Sequence, residues 1–166
     1  TDASPSRESF SIYGQTTLSI SETFRIISGL RYTEDTFKTD VTNFLNVETF
    51  QEEGTSDEVT SRVVGEVDLS DDTMVYVALS RGFKPGGSNL TFGFDDDNAP
   101  PMVFPTFEAE TVESVELGLK STFAEGRARA NIAAFSYTYE NLQFQATDPD
   151  IYRGCLLYTS DAADEP

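Results

Sequence analysis

From Ser9 to Ile20 the chain alternates between apolar and polar positions. Phe10, Ile12, Gly14, Thr16, Leu18 and Ile20 fall on one side of an extended backbone. Ser9, Ser11, Tyr13, Gln15, Thr17 and Ser19 fall on the other. A period of two predicts a strand with one apolar and one polar face. After a turn near Ser21-Glu22, a second strand sets Phe24, Ile26, Leu30 and Tyr32 against Arg25, Gly29 and Arg31, with Ile27 and Ser28 breaking the pattern. A second hairpin follows. Val59, Val63, Gly65, Val67 and Leu69 oppose Thr60, Arg62, Glu66 and Asp68. Its turn, Ser70-Asp71-Asp72-Thr73, is made of turn-forming residues. Val75, Val77, Leu79 and Phe83 then oppose Tyr76, Ala78, Ser80 and Gly82.

A third hairpin sets Val115, Leu117 and Leu119 against Ser114, Glu116, Gly118 and Lys120 and turns at Glu125-Gly126. Its return strand, from Arg127 to about Leu142, reads two ways. Ala128, Ala130, Ile132 and Ala134 can face lipid. The opposing row of Asn131, Ala133, Phe135, Tyr137 and Tyr139 is then either an interfacial girdle or a wall facing a ligand. Val, Ile, Thr, Phe and Tyr dominate all these stretches, which favours strands. Their apolar positions do not recur at helical spacing.

The expected fold is all-β, an antiparallel up-and-down meander of about six strands. The links at one end are tight, at Ser21, Asp71 and Glu125. Those at the other end are long and acidic, from about Glu34 to Glu58 and from about Lys84 to Glu110. Connections of that length exceed ordinary sandwich loops. Charged residues such as Arg25, Arg62, Glu66, Glu116 and Lys120 sit mid-strand on the polar face, as an aqueous lumen allows. Short turns on one rim and long loops on the other are the habit of transmembrane β-barrels. Six strands are too few to close one, so the expectation is a piece of a larger wall. Two open edges in lipid would leave backbone groups unpaired, so the piece is not expected to fold stably alone.

Composition narrows the partners. The net charge is −18, and no basic stripe exists to neutralise phosphates, which excludes nucleic acid as a partner. The same charge argues against basic, peripheral binding to anionic lipid. No run of 18 apolar residues offers a transmembrane helix. The chain opens on Thr1 with no charged-then-apolar leader, so it is expected to begin inside a longer protein, with a processed, mature N-terminus as the alternative.

Four stretches resemble one family in one order. Leu79-Ser80-Arg81-Gly82-Phe83-Lys84-Pro85-Gly86-Gly87 resembles the strand-to-loop motif of TonB-dependent outer-membrane receptors. Ser28-Gly29-Leu30-Arg31-Tyr32-Thr33 precedes it, and the run from Glu110 to Lys120 follows. The last is Gly126 to Phe135, continuing through Tyr137, Tyr139, Asn141, Leu142 and Gln143. Each is weak singly; the ordered set covers about residues 8–146. Val115 and Ser136 depart from it where the family often carries an aromatic. The resemblance implies a plugged barrel of about 22 strands in the cell outer membrane. It implies active uptake of a scarce ligand, a ferric siderophore first, with cobalamin or an oligosaccharide as alternatives. It also implies TonB as partner, through an N-terminal region absent here, along with outer-membrane lipid and lipopolysaccharide. This chain would be about a quarter of the wall.

Candidate chemistry is sparse. There is no histidine, so triads, imidazole acid–base work and His metal sites are excluded from this chain. That disfavours a lipid-modifying or proteolytic barrel. Glu66 and Asp68 share a strand face at a hydrolase-like spacing, but a solvated lumen wall explains them better. Asp95-Asp96-Asp97-Asn98 offers oxygen ligands for Ca²⁺ without the spacing, central Gly and final Glu of an EF-hand. A solvated loop tip explains it. Glu48, Glu52, Glu53, Asp57 and Glu58 are expected in an exposed loop, with cation-bridged contact to lipopolysaccharide phosphates as the functional alternative. Lys84-Pro85-Gly86-Gly87 lacks the full spacing of a phosphate loop and reads as the exit from strand to outer loop. Arg81 and Lys84 could attract an anionic ferric chelate or simply anchor at the membrane rim. Tyr137 and Tyr139 could stack on a ligand or pack in a girdle. No catalytic, cofactor or metal residue is assigned, and the ligand-binding residues are not legible. The rival class is a soluble, acidic, Ca²⁺-dependent carbohydrate-binding or adhesion β-module.

The tail stands apart. The eleven residues from Cys155 to Glu165 resemble the in-frame translation of a transposase adapter used in sequencing libraries. On that reading residues 1–154 are partial receptor barrel and residues 155–166 are not biological sequence. Cys155, the only cysteine, then says nothing about redox compartment.

Overall fold

The computed structural model describes residues 2–43, 48–88, 106–147 and 155–160. Its strands are β1 (Asp2–Ser19), β2 (Phe24–Asn43), β3 (Glu48–Ser70), β4 (Thr73–Lys84), β5 (Gly87–Ser88), β6 (Thr106–Phe107), β7 (Glu110–Phe123), β8 (Ala128–Glu140), β9 (Leu142–Thr147) and β10 (Cys155–Ser160). Six of them form one antiparallel sheet in the order β1-β2-β3-β4-β7-β8. Strand neighbours in the sheet are sequence neighbours among its members, as a meander requires. Two small pairs, β5 with β6 and β9 with β10, complete the set.

The three tight turns lie where the polarity pattern places them. Ser21 Oγ accepts from the backbone N–H of Phe24 at 3.0 Å, closing the first. The second is the two-residue link Asp71-Asp72, beside a register shift between Asp68 and Ser70. In the third, Ala124, Glu125 and Gly126 all adopt positive φ. Gly126 does so without a Cβ penalty.

The first long connection is a correction. Residues 34–43 and 48–58 are strand, not loop. β2 and β3 stay paired from Glu34↔Asp57 to Asn43↔Glu48. Thr36, Phe37, Thr39, Val41 and Thr42 are β-prone residues, and they carry the hairpin well past the apolar band. β1 likewise starts at Asp2 and follows β2 outward.

Register explains the faces. Directly opposed residues in an antiparallel ladder point to the same side. The pairs place Leu18, Ile26, Gly65, Val77, Leu117 and Ala134 in one row, and Thr16, Ser28, Val63, Leu79, Val115 and Ser136 in the next. This outer face is apolar and uncovered. Leu18 is 57% exposed, Val77 45%, Leu117 54% and Ile132 68%. The described hydrophobic residues that are buried are Phe37, Val64 and Ala78. A sandwich would cover its apolar face; an exposed apolar sheet of this extent marks a membrane surface. From Phe10 in β1 to Ile20, just past its end, the band spans ten residue steps. At about 3.3 Å per residue and a tilt of about 40°, that is roughly 25 Å, the height of a barrel's lipid belt. Phe10 and Tyr32 stand at its outer rim; Phe24 and Phe123 stand at the turn rim.

Ile27 and Ser28 do not break the ladder. Ser28 pairs with Thr16 on the outer face, and Ile27 pairs with Thr17 and Val64 on the inner one. The two simply carry the polarity opposite to their face.

Candidate functional site

The inner face carries the polar chemistry. One row crosses all six strands as Gln15, Gly29, Arg62, Ser80, Ser114 and Tyr137. Alternation of the strands puts every second residue of each strand here, so charges far apart in sequence share one surface.

At the turn rim Arg25 holds two carboxylates. Its Nη1 and Nη2 donate to Asp68 at 2.5 and 3.0 Å, and its Nε donates to Glu66 at 3.3 Å. Glu66 and Asp68, the paired carboxylates of a possible hydrolase, are thus committed to a shared arginine. Next to them Tyr76 donates its hydroxyl to Glu116 Oε1 at 2.6 Å. Lys120 Nζ sits 4.9 Å from the Tyr76 ring centroid.

Toward the outer end the wall hollows into a concavity of about 750 Å³, lined in part by Tyr13, Arg31, Arg62, Arg81 and Pro85. Arg31 donates to Ser11 Oγ at 2.9 Å and Thr33 Oγ1 at 3.1 Å, neutral partners that leave its charge uncompensated. Arg62 makes no ion pair among the described residues. Arg81 Nη2 pairs with Glu58 at 3.4 Å. The lining sets three arginines against one acid, Asp35, a basic excess in a chain of net charge −18. Walls of one sign focus the field on ligands of the other.

The remaining sequence candidates fall into place one by one. Glu52, Glu53, Asp57 and Glu58 lie on β3, not in a loop. Glu53 pairs with Lys38 at 3.2 Å. Asp95-Asp96-Asp97-Asn98 lies outside the described residues, as does the side chain of Glu48. Lys84-Pro85-Gly86-Gly87 is the exit from β4, as expected. Tyr137 and Tyr139 pair with Ser114 and Val112, so they face inward with Phe135. The girdle alternative is excluded for them. Phe135 stacks on Tyr137 at 5.9 Å, and Tyr137 meets Tyr139 edge to face at 5.4 Å.

Two inner residues carry no signal in the alternation alone. Arg7, upstream of the first strand read from the sequence, pairs with Asp35 at 3.0 Å and donates to the Gly86 carbonyl at 2.6 Å. Gln143 is 8% exposed and donates to the carbonyls of Glu108 and Pro85. Their partners lie 79, 35 and 58 residues away in sequence.

Fold and wall together define one class, a segment of a transmembrane β-barrel with a polar, partly basic lumen. The sequence profile described as "TonB dependent receptor-like, beta-barrel" matches residues 1–165. The chain belongs to that family, and its place is the outer membrane. Solved structures share the fold. The ferric yersiniabactin uptake receptor FyuA from Yersinia pestis matches with a TM-score of 0.70 at 23% identity, over 85% of this chain and 21% of that one. The alcaligin outer-membrane receptor FauA from Bordetella pertussis gives 0.64 at 18% identity, over 96% and 26%. The ferric-catecholate import receptor Fiu from K12 E. coli gives 0.67 at 18%, over 95% and 24%. The chain spans between a fifth and about a quarter of the length of these relatives.

Proposed function

We propose that this chain is about a quarter of the wall of a receptor that takes up a ferric siderophore through TonB, acting as a transporter and not as an enzyme. The observation that carries the reading is the grouping of Arg31, Arg62 and Arg81 around one inner concavity of an otherwise acidic chain. Ferric chelates are commonly anionic, and a guanidinium offers planar, bidentate donors to carboxylate and catecholate oxygens. Two of the structural relatives are named as receptors for ferric chelates, ferric yersiniabactin and ferric catecholate, which supports the same ligand class. Cobalamin and oligosaccharides would make little use of uncompensated arginines.

The test is iron-55 uptake by a Gram-negative strain that lacks its own siderophore receptors and expresses the complete gene. Uptake of at least one ferric chelate, lost on deleting TonB, is the expected result. Uptake of cobalamin or an oligosaccharide instead, with none of any iron chelate, overturns it. The soluble Ca²⁺-dependent module predicts calcium binding heat and no membrane fraction.

The same reading makes residues 1–154 the receptor wall and assigns 155–165 to adapter translation. Tyr158 and Thr159 are strand formers, which suits pairing with the open β9 edge whatever their origin. Sequencing the gene across Gly154 tests this. Codons that differ from the adapter would refute it.

A further inference from the structure

The second outer connection leaves the sheet between its fourth and fifth strands, β4 and β7. Its stem does not rise straight out. Gly87-Ser88 pairs with Thr106-Phe107, and this short ladder bends back over the inner face toward β1. Phe107 and Gly87 share a cleft with Phe37 and Gly54, which belong to β2 and β3. Pro85 lines the basic concavity itself.

Both legs of the stem are held by side chains. On the outgoing leg, Arg7 Nη2 donates to the Gly86 carbonyl at 2.6 Å, and Gln143 Nε2 donates to the Pro85 carbonyl at 3.2 Å. On the returning leg, Gln143 Nε2 donates to the Glu108 carbonyl at 2.9 Å, and Asn141 Nδ2 donates to the Glu108 carboxylate at 3.2 Å. The backbone N–H of Gln143 also donates to Glu110 Oε2 at 2.8 Å. Arg7 is in turn aimed by Asp35, whose side chain is 7% exposed. Glycine is needed at 86 and 87 because the two legs of the stem lie this close to each other. A Cβ on Gly87 would lie 2.8 Å from Phe107 Cζ, and one on Gly86 would press on the Phe107 carbonyl.

We propose that Arg7 and Gln143 are positioning residues that clamp this stem inward as a fixed roof over the inner face, with Pro85 held at the edge of the arginine-lined concavity. One clamp comes from β1 and the other from β9. The roof is therefore tied to elements on both sides of the strands from which it springs. The inference rests on membership in the receptor family and not on the identity of the ligand.

The test uses the complete receptor in outer membranes, its native cysteines replaced, with a single Ser88→Cys substitution. The rate of modification by a membrane-impermeant maleimide reports how often the stem lifts. Arg7→Ala removes a charge-assisted bond and should raise that rate by about tenfold, and Gln143→Ala should raise it by about fivefold. Arg7→Lys keeps a charged donor for Gly86 and should restore most of the protection. Gln143→Glu keeps the shape but loses the donor, and should behave like Gln143→Ala. A control cysteine at Lys38, on the exposed β2 extension, should react at the same rate in every background. Unchanged reactivity at Ser88→Cys overturns the proposal. So does full protection in Gln143→Glu, or a parallel rise at Lys38→Cys, which would mean general loosening.

Discussion

Tyr76 lies across Gly118, its directly opposed partner on the neighbouring strand. The ring occupies the space that a Cβ at Gly118 would need. The same relationship recurs at Phe37 over Gly54 and at Phe107 over Gly87, each again a cross-strand pair. An aromatic ring laid over a strand glycine shields backbone that would otherwise lack packing. At Tyr76 it also fixes the phenol that binds Glu116 and the face that meets Lys120.

Gly118→Ala should therefore destabilise the wall by about 1–3 kcal/mol, as overpacking does. Guanidinium unfolding of the complete receptor measures it. Gly118→Ala combined with Tyr76→Ala should cost less than the sum of the singles, because the clash is gone. Strict additivity would show that the ring does not rest there.

Leu117 and Ser114 lie three positions apart on β7 and face opposite ways. Leu117 belongs to the apolar outer row and Ser114 to the inner row with Arg62 and Tyr137. Leu117→Arg should cost about 2–4 kcal/mol if the outer face meets lipid near its midplane. Ser114→Arg, on the wet side, should change stability little. Folding into lipid vesicles separates the two. Equal costs would count against a membrane-facing outer surface.

Arg31 and Arg62 carry the uncompensated charge of the concavity. Replacing both by Gln should slow capture of an anionic ferric chelate by roughly tenfold at low ionic strength. The deficit should shrink as salt is raised, since the field is screened within about 10 Å at 0.1 M. Association rates at several salt concentrations test this. A deficit that persists unchanged at high salt would point to direct coordination instead of steering.

Much of this fold is written in a period of two. Phe10 to Ile20 and Val59 to Leu69 fix both strand type and face, because one slipped residue would turn each apolar row inward. The turns at Ser21, Asp71 and Gly126 are legible for similar local reasons. The outward extension of β2 and β3 was hidden by composition. Glu34, Asp35, Lys38, Glu52 and Glu53 look like loop residues, yet Lys38 and Glu53 pair across the ladder and Asp35 pairs with Arg7. The facing of β8 needed its register against β7, which local alternation in a strand rich in alanine does not supply. The site was least legible. Arg31, Arg62 and Arg81 meet only once the meander is assembled, and the clamps at Arg7 and Gln143 depend on partners far along the chain.

The six-strand sheet ends in two open edges, β1 and β8. In a closed barrel each would find a neighbour. Alone in lipid, each edge exposes a row of N–H and C=O groups at several kcal/mol apiece. In water the edges are solvated, but the exposed face of Ile12, Leu18, Val77, Leu117 and Ile132 is not tolerated. Neither solvent suits the wall by itself. Residues 1–154, refolded in detergent or lipid vesicles, should therefore show strand-rich circular dichroism without a cooperative unfolding transition. They should also lack the gel shift on heating that marks a folded barrel. The same measurements on the complete receptor should give both. A sharp, reversible transition in the isolated wall would mean that its edges are satisfied some other way, for instance by pairing with a second copy. A concentration-dependent midpoint would reveal that arrangement.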